Sequence, residues 1–226
     1  SRVCAAAAVV LRSLCAVSAS GATLSLAAAM HWCPAAATGP MLASGWLVVL
    51  STAPRLVARR MRLSASDPVD DALTARTLIA HGRLTATVTT AASGAVLGSL
   101  MTALTTPRSP ASMGLLAVVA AILLLRMRIH LEAHRCAALA AGGILVSTLL
   151  LGTAATVAPT LVPWAFAALA IGFVAAAPLA GVTTWPPGAA LRRVASAAEF
   201  AAAAAVAPLT CWAIGLFTAA RELSLS

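Results

Sequence analysis

The sequence predicts an all-α, polytopic transmembrane helical bundle of about seven spans. Of its 226 residues, 61% are hydrophobic and 9% are charged, and the mean hydropathy is +0.97. These values lie far outside those of soluble domains. The apolar residues also form long stretches separated by short connections, and the arginines occupy alternate connections. Composition and arrangement together indicate a chain that crosses a membrane several times.

An α-helix crosses the hydrocarbon layer, about 30 Å thick, with about 20 apolar residues. Seven windows approach that length and define one transmembrane domain over residues 1–226. They lie near 13–32, 37–54, 84–105, 111–127, 136–156, 160–181 and 197–219. Many of these windows are rich in alanine, which favours membrane insertion less than leucine, so we expect the last span to depend on its neighbours.

The arginines predict the orientation. Basic residues in short loops stay on the cytoplasmic side. Of the 15 basic residues, all but Arg108 and Arg221 precede the first apolar core or lie in the connections near 55–83, 126–135 and 182–196. We therefore expect a multi-pass protein of the cell (inner) membrane with its N-terminal side cytoplasmic and its C-terminus external. The same dispersion argues against nucleic-acid binding, which needs a contiguous basic face.

The cytoplasmic loop 55–83 is the longest polar stretch. It starts with a basic, amphipathic continuation of the second span, from Arg55 to Leu63. Asp67 then suits a helix N-cap and Pro68 the first helical position. A helix from about 68 to 105 would be about 55 Å long at 1.5 Å per residue, longer than the bilayer core. The third helix should therefore extend into the cytoplasm.

Few ionisable residues are placed for catalysis. The six acidic residues all lie in loops or near span ends. Glu199, just inside the last span, is the best candidate for a structural polar contact, with Arg192 or Arg193 as partner, although a solvated charge is an equal alternative. Gly94 and Gly98, four residues apart, could allow close helix packing and form a dimer seam. We predict no catalytic, cofactor-binding or metal-binding residues, and no cofactor.

The stretch His130-Leu131-Glu132-Ala133-His134 places two histidines one helical turn apart, where they could share a metal ion. The order differs from the H-E-x-x-H of zinc proteases, and no third ligand is evident. Flanking arginines would repel a cation, so a polar helix end is the better interpretation. The five cysteines contain no C-x-x-C pair, which argues against a disulfide or zinc framework.

Several short motifs together suggest a family. Near the C-terminus these are Leu191-Arg192-Arg193, Glu199-Phe200, Pro208-Leu209, Trp212, Gly215-Leu216-Phe217 and Arg221. Earlier in the chain they are Pro54-Arg55-Leu56, the acidic stretch Asp67 to Asp71, and Leu123-Leu124-Leu125-Arg126-Met127-Arg128. In order and spacing, this set resembles the EccD family of type VII (ESX) secretion membrane proteins. Phe200 and Phe217 depart from the family pattern, in which tyrosine-like residues are expected.

The resemblance implies a non-catalytic subunit of an actinobacterial protein secretion channel, acting as scaffold or conduit wall. Family members have a cytoplasmic ubiquitin-like domain and eleven helices, so this sequence would hold the last seven helices, with the upstream parts absent. The implied partners are other membrane subunits, including an FtsK-type ATPase, and a second copy in a homodimer. The alternative, a secondary transporter or permease for a small solute, predicts internal repeats and a polar cluster at the midplane, and neither is seen in the sequence.

Overall fold

The computed structural model describes residues 15, 19–20, 22–23, 35–60, 71–106, 109–127, 132–157, 159–163, 166, 189–217 and 221. Side chains are described there except at 35, 54–60, 71–79, 161, 189 and 191–192. The elements with defined bounds are five α-helices and a short 3₁₀ turn, Pro159–Leu161, and residues 15, 19–20, 22–23, 162–163 and 166 are helical as well. The helices are α1 (Ala35–Arg60), α2 (Asp71–Thr105), α3 (Pro110–Arg126), α4 (Ala133–Val157) and α5 (Ala189–Ile214). No strand occurs among these residues, in agreement with the predicted all-α class.

Helices α1 and α2 form the closest pair in the bundle. They are antiparallel: Gly39 faces Thr102 near one end of the seam, and Gly94 faces Trp46 further along it. A Cβ at Gly39 would lie 2.7 Å from the Thr102 Cα, and one at Gly98 would lie 2.7 Å from the Ala43 Cα. Such distances leave no room for a side chain, so glycine is what allows the two backbones to approach.

Helix α3 carries the centre of the core. Ser109 caps its N-terminus in a reciprocal capping box with Ser112, and Pro110 occupies the first turn, the arrangement that satisfies the free N–H groups of a helix start. The helix then packs against α4 and α5, while α2 packs against α1 and α4. The largest fully buried aliphatic side chains are Leu50, Leu115, Leu116, Leu123, Leu139, Val88, Val119 and Val146.

Prolines inside α1 leave two backbone carbonyls without their usual donor. A helical carbonyl accepts the N–H of the residue four positions later, and proline has none. Pro40 therefore frees the Ala36 carbonyl, and Pro54 frees the Leu50 carbonyl. Both carbonyls accept a hydrogen bond from a residue outside α1. The Thr106 hydroxyl donates to the Ala36 carbonyl at 2.8 Å, and Arg126 donates to the Leu50 carbonyl at 2.6 Å.

Four helical stretches are long and apolar enough to cross a membrane: Ala36–Ala53, Ala80–Thr105, Ala133–Val157 and Arg193–Ile214. The shorter helix Pro110–Arg126 is apolar as well. The chain is therefore a multi-pass helical membrane bundle, but the described residues do not support seven spans. Most of the predicted windows 13–32 and 160–181 lies outside the described residues. The few described residues in these windows, 15, 19–20, 22–23, 160–163 and 166, are helical, with 160 and 161 in the 3₁₀ turn.

The helices continue past their apolar windows. Most of the expected loop 55–83 is helical, because α1 continues to Arg60 and α2 begins at Asp71. The structure confirms that α2 is one long helix. Its 35 residues correspond to a length of about 52 Å at 1.5 Å per residue. Helix α5 likewise begins at Ala189, eight residues before the predicted window. The flanking residues, rich in Ala, Leu and Arg, have high helix propensity, so loss of apolarity does not end a helix.

Candidate functional site: two arginine clusters at one end of the bundle

The Arg126 cluster joins three helices at the C-terminal end of α3. The Arg126 Nη1 donates to the Leu50 carbonyl of α1 at 2.6 Å, and Nη2 donates to the Ser51 hydroxyl at 3.1 Å. Its Nε donates to Glu199 Oε1 of α5 at 3.2 Å. The two charged side chains are only 15% and 17% exposed. Arg126 thus holds α1, α3 and α5 together while neutralising the one acidic residue of α5.

The position of Arg126 follows from local sequence. The apolar run of α3 ends at Arg126, the first charged residue after a long series of aliphatic side chains. An arginine at a span end can extend its apolar stem along the helix and direct its guanidinium to the interface. The carbonyl it meets there is the one left free by Pro54. The guanidinium, with its fork of donors, can serve that carbonyl and a carboxylate at once.

The Glu132 cluster joins α2 to the start of α4. Glu132 Oε1 pairs with His81 Nε2, and Oε2 lies 2.7 Å from Arg135 Nε. The Thr85 hydroxyl lies 2.9 Å from Glu132 Oε2, and Arg135 Nη2 donates to the His81 carbonyl at 2.8 Å. The Arg135 side chain is only 6% exposed. A cation in the first turn of a helix opposes the helix dipole, and Glu132 compensates for it there.

Electrostatics keep Glu132 ionised. Partial burial alone would raise the pKa of Glu132. The Thr85 hydrogen bond and the nearby Arg135 and His81 outweigh that effect and hold the pKa below the usual glutamate value. Both carboxylates, Glu132 and Glu199, are therefore committed to arginines. Glu132 contacts α2 through His81 and Thr85, and Glu199 contacts α3 through Arg126, so both contacts are suited to fixing helix positions.

Both clusters lie at the same end of the bundle. Arg126 is the last residue of α3, and Glu132 directly precedes α4, so a short connection separates them. Because α1 and α2 are antiparallel, the C-terminal half of α1 lies beside the N-terminal half of α2, which carries His81 and Thr85. The Arg126 cluster joins α1, α3 and α5, and the Glu132 cluster joins α2 to α4, so each of the five helices takes part in one cluster. By the arginine distribution this end is the predicted cytoplasmic end.

The structure describes Glu199, Arg193, Gly94 and Gly98 among the predicted site residues. Glu199 forms an ion pair with Arg126, which the sequence analysis did not name. Arg193 is exposed, and the Arg192 side chain lies outside the described residues, so their pairing with Glu199 stays a prediction. Gly94 and Gly98 lie against Trp46 and Ala43 of α1 in the same chain, and their role in a dimer seam stays a prediction.

Sequence reasoning missed Arg126, Arg135 and His81 as contact residues. One signal for Arg126 was available, namely the free carbonyl four residues before Pro54, which needs a donor from elsewhere. Of the two histidines considered as metal ligands, His134 is exposed and His130 lies outside the described residues, while Glu132 contacts His81 and Arg135. In the described part of the chain, no three His, Cys, Asp or Glu side chains are grouped as metal ligands would be.

The informative comparison of this chain with known proteins comes from solved structures. No protein-family model and no curated protein matches the chain. Among solved structures, the fold is similar to a chain in protomer 1 of the ESX-3 core complex, with a TM-score of 0.64 and 22% sequence identity. The match covers 87% of this chain and 48% of that chain, so this chain spans about half the length of the solved one. The likeness establishes a shared helical fold.

Proposed function

We propose that this chain is the C-terminal transmembrane part of a non-catalytic, EccD-like subunit of a type VII (ESX) protein secretion complex. The observation that carries the proposal is the fold likeness to a chain of the ESX-3 core complex over 87% of the sequence. The motifs that resemble EccD support it independently. Two of them, Pro54-Arg55-Leu56 and the run ending in Arg126, meet in one contact, because Arg126 binds the carbonyl that Pro54 frees.

The proposed role is that of a scaffold or conduit wall in the inner membrane. At one end of the bundle, one arginine cluster joins α1, α3 and α5 and the other joins α2 to α4, and most of the buried core is aliphatic. Energy for secretion would come from a partner, an FtsK-type ATPase. The subunit would assemble with other membrane subunits and with a second copy of itself. The arginine bias supports a cytoplasmic location for the clustered end and an external C-terminus.

A native pull-down tests this assignment. A tagged copy of the full-length protein is extracted from its own membrane in gentle detergent, and the bound proteins are identified by mass spectrometry. We expect an FtsK-type ATPase and further membrane subunits, and we expect deletion of the gene to abolish protein export through the complex. A stable single species that takes up a small solute in vesicles would instead show a transporter and overturn the proposal.

The clusters allow a sharper version of the test. Arg126→Met removes the contact between α1, α3 and α5, whereas Arg193→Met removes an exposed arginine from the same end of α5. If the bundle is a scaffold, Arg126→Met should reduce both partner recovery and secretion in the deletion strain, and Arg193→Met should restore both to near wild-type levels. Equal loss in the two variants would mean that positive charge at this end matters, and not the helix arrangement.

A further inference from the structure

The outward face of α5 is a stripe of small residues, called here the alanine stripe: Ala197, Ala201, Ala204 and Pro208. These residues follow one another at intervals of three or four, so they lie on one side of the helix, and all are exposed. The buried Val206 belongs to the opposite side, which packs into the core of the bundle. Because alanine side chains are short, another helix can approach the α5 backbone closely along this stripe.

One backbone carbonyl within the alanine stripe lacks its helical donor. Pro208 has no N–H, so it frees the Ala204 carbonyl, as Pro40 and Pro54 free carbonyls in α1. Those two carbonyls accept hydrogen bonds from residues outside α1. In the described part of the chain no side chain donates to the Ala204 carbonyl, and the nearby Thr210 hydroxyl donates to a different one. A helical carbonyl points towards the residue four positions later, so this oxygen lies between two exposed residues of the stripe.

The free carbonyl lies at mid-bilayer depth, where its donor must be neutral. Ala204 is midway between Arg193 and Ile214, the two ends of the candidate span. The hydrocarbon core holds no water to bind a free carbonyl, and a charged donor is costly there. A serine or threonine hydroxyl meets both conditions, and its side chain is short enough for two closely packed helices. In this chain, Thr106 already serves the carbonyl freed by Pro40 in that way.

The hydroxyls of this chain match the required donor poorly. Ser93 and Thr148, the exposed hydroxyl residues nearest the middle of α2 and α4, each donate to a carbonyl of their own helix. The predicted span 160–181 contains no serine or threonine beyond its first residue. Ser20, in the predicted span 13–32, lines a small cavity with residues of α1. These observations favour a donor from another protein over a second copy or another segment of this chain.

We propose that the alanine stripe is the docking face for a transmembrane helix of another membrane subunit, which donates a serine or threonine hydroxyl to the Ala204 carbonyl. The inference rests on the proposed assembly with other membrane subunits and identifies the surface on which one of them docks. A helix docked there also supports α5, whose candidate span is 11% buried within the structure.

Site-specific photocrosslinking tests the docking face. The full-length protein carries Ala201→p-benzoylphenylalanine, and Ala141→p-benzoylphenylalanine on α4, also at an exposed alanine, is the matched control. After irradiation in the native membrane, we expect position 201 to capture a subunit that the tagged protein also recovers in the pull-down. The adduct should lie in a transmembrane helix of that subunit that contains a serine or threonine. Position 141 should give lipid adducts alone.

Three crosslinking results would overturn the docking face: lipid adducts alone from position 201, an adduct there between two copies of this chain, or equal capture of one subunit from both positions. The proposed assembly fails in a different way, because the wild-type protein then recovers no membrane subunits at all. Recovery of the subunits without an adduct at position 201 contradicts the docking face alone.

Substitutions test the hydrogen bond itself. Ala201→Leu places a large side chain on the alanine stripe and should lower recovery of the captured subunit roughly tenfold, whereas Ala141→Leu should not. Pro208→Ala supplies the missing N–H within α5, so the Ala204 carbonyl no longer needs an outside donor. Replacing the contacting serine or threonine of the captured subunit by alanine should lower recovery about fivefold with Pro208 present and leave it unchanged in Pro208→Ala. An equal loss in both backgrounds would show that the hydroxyl does not bind this carbonyl.

Discussion

The Arg126 contact with the Leu50 carbonyl can be measured by a double-mutant cycle with Pro54. Arg126→Met keeps an apolar stem of similar reach but removes three donated hydrogen bonds and leaves Glu199 without its arginine partner. Removing one partner of a buried ion pair costs about 3–5 kcal/mol. Since these side chains are 15% and 17% exposed, we expect a loss of about 3 kcal/mol in the free energy of unfolding.

The second arm of the cycle restores the backbone donor. In Pro54→Ala, the new N–H can bind the Leu50 carbonyl within α1, so that carbonyl no longer needs Arg126. Arg126→Met should then cost about 1 kcal/mol less than in the wild-type background, the net contribution of one hydrogen bond. Cycles in membrane proteins give about 0.6 kcal/mol on average, so the coupling is measurable.

The assay is reversible unfolding of the full-length protein in mixed micelles, followed by far-UV circular dichroism as the fraction of SDS is raised. Arg193→Met, which removes an exposed charge, serves as the control and should change the free energy of unfolding by less than about 0.5 kcal/mol. If Arg126→Met costs the same with Pro54 and with alanine at that position, the carbonyl contact contributes nothing, and the explanation for the placement of Arg126 is wrong.

Three further predictions concern the glycine contact between α1 and α2, the Thr106 hydrogen bond to α1, and the Glu132 cluster. Gly98→Ala should destabilise the protein by about 1–3 kcal/mol, because its Cβ would lie 2.7 Å from the Ala43 Cα, while Gly152→Ala, with nothing within 4 Å, should be neutral or slightly stabilising in the same unfolding assay. Thr106→Val should cost about 1 kcal/mol by leaving the Ala36 carbonyl without a donor, and the cost should fall when Pro40 is replaced by alanine. The pKa of Glu132 is lowered in the folded state, so its stabilising contribution is complete above about pH 4.3, the usual glutamate value, and is lost as pH falls below it. Thermal unfolding from pH 6 to pH 3 should therefore show a smaller loss of stability in Glu132→Gln than in the wild type, and parallel curves would contradict the assignment.

The helical class and the long α2 could be predicted because they depend on local sequence. Apolar windows and the lack of a helix breaker between Asp71 and Gly82 are visible in the chain itself. Helix ends were less predictable, since Ala, Leu and Arg next to a span keep the helix going beyond the bilayer. The predicted windows mark where the apolar sequence begins and ends, which differs from where the helix begins and ends. Helix α5, for example, begins at Ala189, whereas the predicted window begins at 197.

The partners of the polar residues could not be predicted from spacing along one helix. Glu199 and Arg126 are 73 residues apart, and they meet because α3 and α5 pack together, which no local pattern encodes. The same holds for His81 and Glu132, which come together only when α2 lies beside the start of α4. The Pro54 position is an exception. A proline within a helix predicts a carbonyl in need of a donor, although it does not identify the residue that supplies it.

The lateral position of α5 depends on few interactions. This helix makes its described contacts with α3 and α1, and exposure of its apolar side chains to lipid carries no hydrophobic penalty. Without Arg126, α5 loses its hydrogen bond and ion pair to α3 at this end. Arg126→Met should therefore lower the recovery of partner subunits, and Pro54→Ala should not restore it, because that substitution repairs α1 alone. Recovery that stays at the wild-type level in Arg126→Met would show that packing against α3 is sufficient to position α5.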